Sequence, residues 1–249
     1  MKKIINILLI VCSLNFVNCS SNEDSVTPST SFDGSNSGKG GSTARFTTLG
    51  NYLYTVDEYN LKVFKITTEG EAILKNTVYI GFDIETIFPR GADKLFIGSS
   101  SGMYIYDVEN PEVPKYLSIF RHVVSCDPVV ADDNYAYVTL RSNDNWCGNS
   151  VNQLDILDVR DLSNPIHLET YQLTAPYGLG IQNDTLYVCD NGLKVFDVSN
   201  KKAIRTIHHF KNIDARDVIT NGKYLIMTST AGIYQYSTEN DTIQQISVL

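Results

Sequence analysis

The sequence predicts an all-β fold, a β-propeller of about five four-stranded blades, and three observations lead there. A compact aromatic strand recurs at residues 51–54, 94–97, 135–138, 185–188 and 224–227. Aligning Leu53, Leu95, Ala136, Leu186 and Leu225 gives steps of 42, 41, 50 and 39 residues, and a period near 40 with four strands per unit is that of a propeller blade. The aromatic content is mostly tyrosine, 15 Tyr against 10 Phe and one Trp, and tyrosine favours strands, where its ring packs and its hydroxyl reaches the edge.

Before the repeats comes an address. Lys2 and Lys3 precede an apolar run over residues 4–12, about half the length that a permanent membrane helix needs, so it reads as the core of a signal peptide. Cys19 follows in Leu14-Asn15-Phe16-Val17-Asn18-Cys19, which resembles a bacterial lipobox, with Asn18 where Gly, Ala or Ser is usual. The resemblance implies that residues 1–18 are removed and that Cys19 carries a lipid anchoring the chain to a membrane. An ordinary secretory signal is the alternative, and residues 16–18 fit its small-residue cleavage pattern worse.

Residues 19–43 are rich in Ser, Gly, Thr and Asn. They cannot bury enough apolar surface to offset the entropy of ordering, so they are expected to be a flexible tether. Glu23 and Asp24, just after the cysteine, resemble the export signal of Bacteroidetes-type lipoproteins, which implies the outer face of the outer membrane; a periplasm-facing lipoprotein is the alternative. Residues 34–40 look superficially like a phosphate loop, but no strand precedes them and the Lys-Ser/Thr step is missing, so they are linker.

The propeller is expected over residues 44–249, in repeats at about 44–83, 84–123, 124–175, 176–212 and 213–249. Its third strands read Leu61-Lys-Val-Phe-Lys-Ile66, Met103-Tyr-Ile-Tyr-Asp-Val108, Leu154-Asp-Ile-Leu-Asp-Val159, Leu193-Lys-Val-Phe-Asp-Val198 and Ile233-Tyr-Gln-Tyr236. Asn110-Pro111, Ser163-Asn164-Pro165 and Ser199-Asn200 follow three of them. These strands resemble the LVIVD repeat family, which implies a propeller with surface or envelope localisation and no established activity. The first and last repeats carry Lys65 and Ser237 in place of the terminal Asp. Ring closure is expected to bring residues 46–48 and 243–248 to opposite edges of a shared region, with a split terminal blade or an open stack as alternatives.

The third repeat is about ten residues longer than its neighbours, and the excess, residues 141–150, lies between its second and third strands. In a propeller that turn shares a face with the entry to the innermost strand, so a disulfide between Cys126 and Cys147 is expected, contributing about 3 kcal/mol in an oxidising compartment. Cys189 then reads as a buried unpaired thiol.

The entries to the innermost strands gather Arg45, Glu85, Asp127, Tyr177, Arg216 and Asp217 on one face, with Asp190 and the insertion residues Arg141 and Trp146 beside them. This rim is the expected binding surface for a glycan or a protein. The wet loop ends of any propeller would also collect such residues.

Chemistry is sparse. Gly98-Ser-Ser-Ser-Gly102 matches G-x-S-x-G, yet a nucleophile elbow needs a strand-to-helix turn and Ser100 sits between two strands. His208 and His209 alternate across a strand and cannot share an ion, Asp144 lacks a full oxygen cage, and no metal or cofactor is expected. A net charge of −8 argues against nucleic acid as a partner. The expectation is a non-catalytic binding or scaffold module with no catalytic residue. The alternatives are a polysaccharide-cleaving enzyme using Glu85, Asp127 and Asp217, or a structural component of an envelope assembly.

Overall fold

The computed structural model describes residues 40–122, 128–143, 147–239 and 242–249, with strand placement alone for residues 143 and 147–150. The chain is a five-bladed β-propeller in which each blade is a four-stranded antiparallel sheet in sequence order from axis to rim. Blade 1 comprises β1 (Phe46–Leu49), β2 (Tyr52–Val56), β3 (Asn60–Ile66) and β4 (Ala72–Tyr79). Blade 2 comprises β5 (Ile84–Arg90), β6 (Lys94–Ser99), β7 (Gly102–Asp107) and β8 (Lys115–Arg121). Blade 3 comprises β9 (Val129–Ala131), β10 (Tyr135–Asn143), β11 (Cys147–Asp158) and β12 (Ile166–Gln172). Blade 4 comprises β13 (Pro176–Gln182), β14 (Thr185–Asp190), β15 (Leu193–Asp197) and β16 (Arg205–Phe210). Blade 5 comprises β17 (Asp217–Asn221), β18 (Tyr224–Ser229), β19 (Gly232–Ser237) and β20 (Gln244–Val248).

The recurring Asp-Val of the third strand has a structural reason. In β7, β11 and β15 the terminal carboxylate accepts the backbone N–H two residues on: Glu109 to Asp107 at 2.8 Å, Arg160 to Asp158 at 3.1 Å, Ser199 to Asp197 at 2.9 Å. This fixes the turn that ends the strand, an arrangement Asp favours because its short side chain reaches its own backbone. The valine that follows is buried and donates its N–H back across the blade: Val108 to the Asp93 carbonyl, Val159 to Asn134 and Val198 to Asp184. In the last repeat the Ser237 hydroxyl takes the carboxylate's place and accepts from Glu239 N at 3.3 Å.

Both faces of the inner blades are covered, so their strands are apolar on both sides. Four apolar clusters fill the seams between consecutive blades. Phe96, Met103 and Ile105 of blade 2 meet Val138, Leu140 and Leu157 of blade 3; Cys189 and Leu193 of blade 4 meet Val218 and Met227 of blade 5. Cys189 is free and fully buried.

Among the described residues no apolar cluster joins blade 5 to blade 1. A turn at residues 41–44, closed by a bond from Ala44 N to the Gly41 carbonyl, bridges that seam instead. The Ser42 hydroxyl donates to Asp217 Oδ1 at 2.9 Å and accepts from Leu179 N at 2.8 Å, while Thr43 bonds Asp217 Oδ2 through both its N–H and its hydroxyl. Gly41 and Gly178 fit here because a Cβ on either would lie 2.1 Å from an Asp217 carboxylate oxygen. β1 and β20 each complete their own sheet, so no blade is split, and Ser42 and Thr43, expected in the tether, join the ring.

The long third repeat also differs in kind. Its excess residues prolong the hairpin itself: β10 and β11 run to 9 and 12 residues, pairing Arg141 with Asn152 and Asn143 with Cys147. Cys126 lies outside the described residues, and Cys147 is described only by its position at the start of β11, so the expected bridge does too.

Candidate functional site

The five innermost strands run in the same sense, so the propeller has an entry end, where β1, β5, β9, β13 and β17 begin, and an exit end, where they turn back. The sequence points to the entry end. Of the rim residues expected there, Asp127 and Trp146 lie outside the described residues, as does Cys19.

Two of the expected ligand carboxylates are fully engaged by the fold. Asp190, at 0 % exposure, accepts the backbone N–H groups of Thr174 and Ala175 and pairs with Lys194 at 2.6 Å, fixing the crossover into blade 4. Asp217 holds the closing turn and caps its own strand through Val218 N at 2.9 Å. Neither has a lone pair turned outward to spare, because a buried carboxylate is tolerable only when its oxygens are hydrogen-bonded. Both carboxylates serve the fold in this way. Of the carboxylates named for polysaccharide cleavage, Asp127 lies outside the described residues. Glu85 is half-buried on β5, and Asp217 is committed to Ser42 and Thr43.

Arg141, Tyr177 and Arg216 do come together. The Arg141 guanidinium lies 4.1 Å from the centroid of the Tyr177 ring and that of Arg216 lies 4.3 Å from it, linking blades 3, 4 and 5. The Tyr177 carbonyl accepts from Thr139 at 2.8 Å, and Arg216 meets Asp214 at 3.4 Å. The Thr230 hydroxyl, ahead of Arg216, holds the Asp214 carboxyl below its ordinary range. Arg45 reaches the Ile84 carbonyl at 3.3 Å.

A well-formed cavity lies at the other end. It measures about 780 Å³ and is walled by all five innermost strands through Leu49, Phe88, Val130, Leu179 and Val218, with Gly40 beside them. Its mouth is ringed by Arg90, Asp93, Glu109, Asp132 and Asp133. Arg90 donates to the Asp133 carbonyl at 2.6 Å and lies over the Phe96 ring. Asp132 is tied to Asn134 N and Tyr135 N at 2.8 Å. Nothing in the sequence marked this end, because its walls are the ordinary apolar residues of strands and its rim the ordinary polar residues of turns.

Comparisons with known proteins agree with this architecture. The LVIVD repeat model matches residues 125–172 and 180–206, which fall in blades 3 and 4. No curated protein sequence matches the chain. Among solved structures, it is similar to a protein from Lactobacillus plantarum, with 15% identity, a TM-score of 0.64 and coverage of 80% of this chain and 67% of that one. It is also similar to a periplasmic gluconolactonase from Pseudomonas aeruginosa, at 13% identity, TM-score 0.60, and 80% and 66% coverage. A third is BamB from Moraxella catarrhalis, at 12% identity, TM-score 0.53, and 82% and 62% coverage. The chain spans about two thirds of the length of these structures, and likeness at such identity is likeness of fold alone.

Proposed function

We propose that the chain is a non-catalytic binding module that takes a small ligand into the axial cavity at its exit end. It is held at the cell envelope by a lipid on Cys19 and the tether that follows. The observation that carries this reading is the cavity itself. A concave, mostly apolar space of about 780 Å³ with a few polar groups at its mouth is the form that small-molecule sites take. The engagement of Asp217, one of the three carboxylates named for hydrolysis, by Ser42, Thr43 and its own strand supports binding over hydrolysis.

The test is to purify the full chain from its own cells and identify by mass spectrometry the small molecules that accompany it. Ile219 is half-buried in the cavity wall, so Ile219→Trp should narrow the space and abolish the co-purified species. Identical molecules on both proteins would sink the cavity as the binding site. If the anchor is as proposed, cells fed an alkyne fatty acid should label the chain, and Cys19→Ser should abolish the label.

A further inference from the structure

The entry end carries a second arrangement, independent of the cavity. Arg141 and Arg216 both lie within 4.3 Å of the Tyr177 ring centroid. Two guanidiniums on one ring repel each other, and the ring's negative face offsets only part of that. A guanidinium that stacks by its face keeps its N–H donors in the plane, free to grip a planar oxyanion at the edge. Among the described residues Arg141 has no carboxylate partner. Arg216 has Asp214 alone, whose Oδ1 lies 3.4 Å from its buried Nε without making a hydrogen bond to it. This concentration of cations stands out in a protein of net charge −8.

The same end bears a cluster of exposed aromatic rings. Tyr59, Tyr79 and Phe82 are 43%, 59% and 67% exposed, and Phe82 meets Tyr59 at 5.8 Å and Tyr79 at 6.1 Å, edge to face in both cases. Soluble proteins seldom leave such a patch open without a use. Exposed aromatic rings of this kind suit the C–H faces of sugars. Glu58 and Asp83, chain neighbours of Tyr59 and Phe82, would repel a densely charged polyanion.

We infer that the entry face binds an acidic glycan with widely spaced carboxylates, one carboxylate gripped by Arg141 and Arg216 and neutral sugars stacked on Tyr59, Tyr79 and Phe82. The probe is a short hyaluronan oligosaccharide, in which every second sugar carries a carboxylate, titrated calorimetrically into the full chain. Binding is expected, and both Arg141→Gln and Arg216→Gln should weaken it at least about tenfold, the loss of one charge-assisted hydrogen bond. The carboxyl-reduced oligosaccharide should bind the unaltered protein as weakly as the variants bind the acid, a comparison that needs no substitution and holds even if a variant misfolds. Phe82→Ala, at the surface, should weaken acid and reduced forms alike. Ile219→Trp should leave hyaluronan binding unchanged, which separates this site from the exit cavity. Absence of binding, equal affinity for the carboxyl-reduced form, or equal affinity for oligoglutamate would overturn the inference.

Discussion

Among the described residues four seams of this propeller hold an apolar cluster and the fifth a hydrogen-bonded turn, and the two kinds of seam were bound to be unequally visible. An apolar seam follows from period alone: once strands recur every 40 residues or so with both faces greasy, each blade can satisfy itself only against the next. The closing seam depends on single groups that meet across the whole chain, Ser42 and Thr43 with Asp217, at sequence separations of 175 and 174. Apolar seams distribute their energy over many contacts; the polar one concentrates it in one carboxylate.

That contrast can be broken most forcefully in the middle of an apolar seam. Phe96 is fully buried between blades 2 and 3, and Phe96→Ala should cost about 3–5 kcal/mol. For a domain of this size that lowers the melting temperature by roughly 10 °C. Hydrogen exchange should speed up throughout the ring, since blades 2 and 3 support their neighbours on both sides. A loss of protection limited to blade 2 would show that the seams are not coupled.

Asp217→Ala sharpens the comparison from the other side. It strips hydrogen bonds from Ser42, Thr43 and Val218, leaving the buried Ser42 and Val218 donors without partners while the exposed Thr43 turns to water, at a total cost of about 3 kcal/mol. Exchange should rise in β17 and residues 41–44 while β10 and β11 keep their protection. If this variant loosens all five blades to the same degree, closure is a global and not a local event.

The unequal visibility extends to the candidate site. Asp107, Asp158 and Asp197 were legible because each acts on the backbone two residues away, a range over which sequence and structure coincide. Arg141, Tyr177 and Arg216 were legible as a group because strand direction in a propeller puts them at one end. The engagement of Asp190 and Asp217 left no mark in the sequence, because a charged residue at a strand end looks the same whether its partner is solvent or a buried N–H. The exit cavity left no trace, since a space is defined by what five separate strands fail to fill.

Asp57 and Asp190 give the finest version of the comparison. They stand in the turns between the second and third strands of blades 1 and 4, Asp57 just after β2 and Asp190 at the end of β14, and each pairs with the lysine of the Leu-Lys-Val-Phe that follows, Lys62 at 2.9 Å and Lys194 at 2.6 Å. Asp190 is sealed in, whereas the Asp57 side chain keeps 38% of its surface. The Tyr59 N–H, then Lys62, hold the Asp57 carboxyl well below the usual carboxylate range. A depressed folded-state value means that the ionised form stabilises the fold above the unfolded value of about 4 and that this contribution fades as pH falls further toward the folded value. Solvent screening keeps it under about 1 kcal/mol. Asp57→Asn should therefore melt a few degrees below the unaltered protein at pH 7, and the gap should narrow when both are melted near pH 3. A gap that stays constant across that range would mean the side chain works through its neutral hydrogen bonds to Tyr59 and Asn60, and that its charge, unlike its position, contributes nothing.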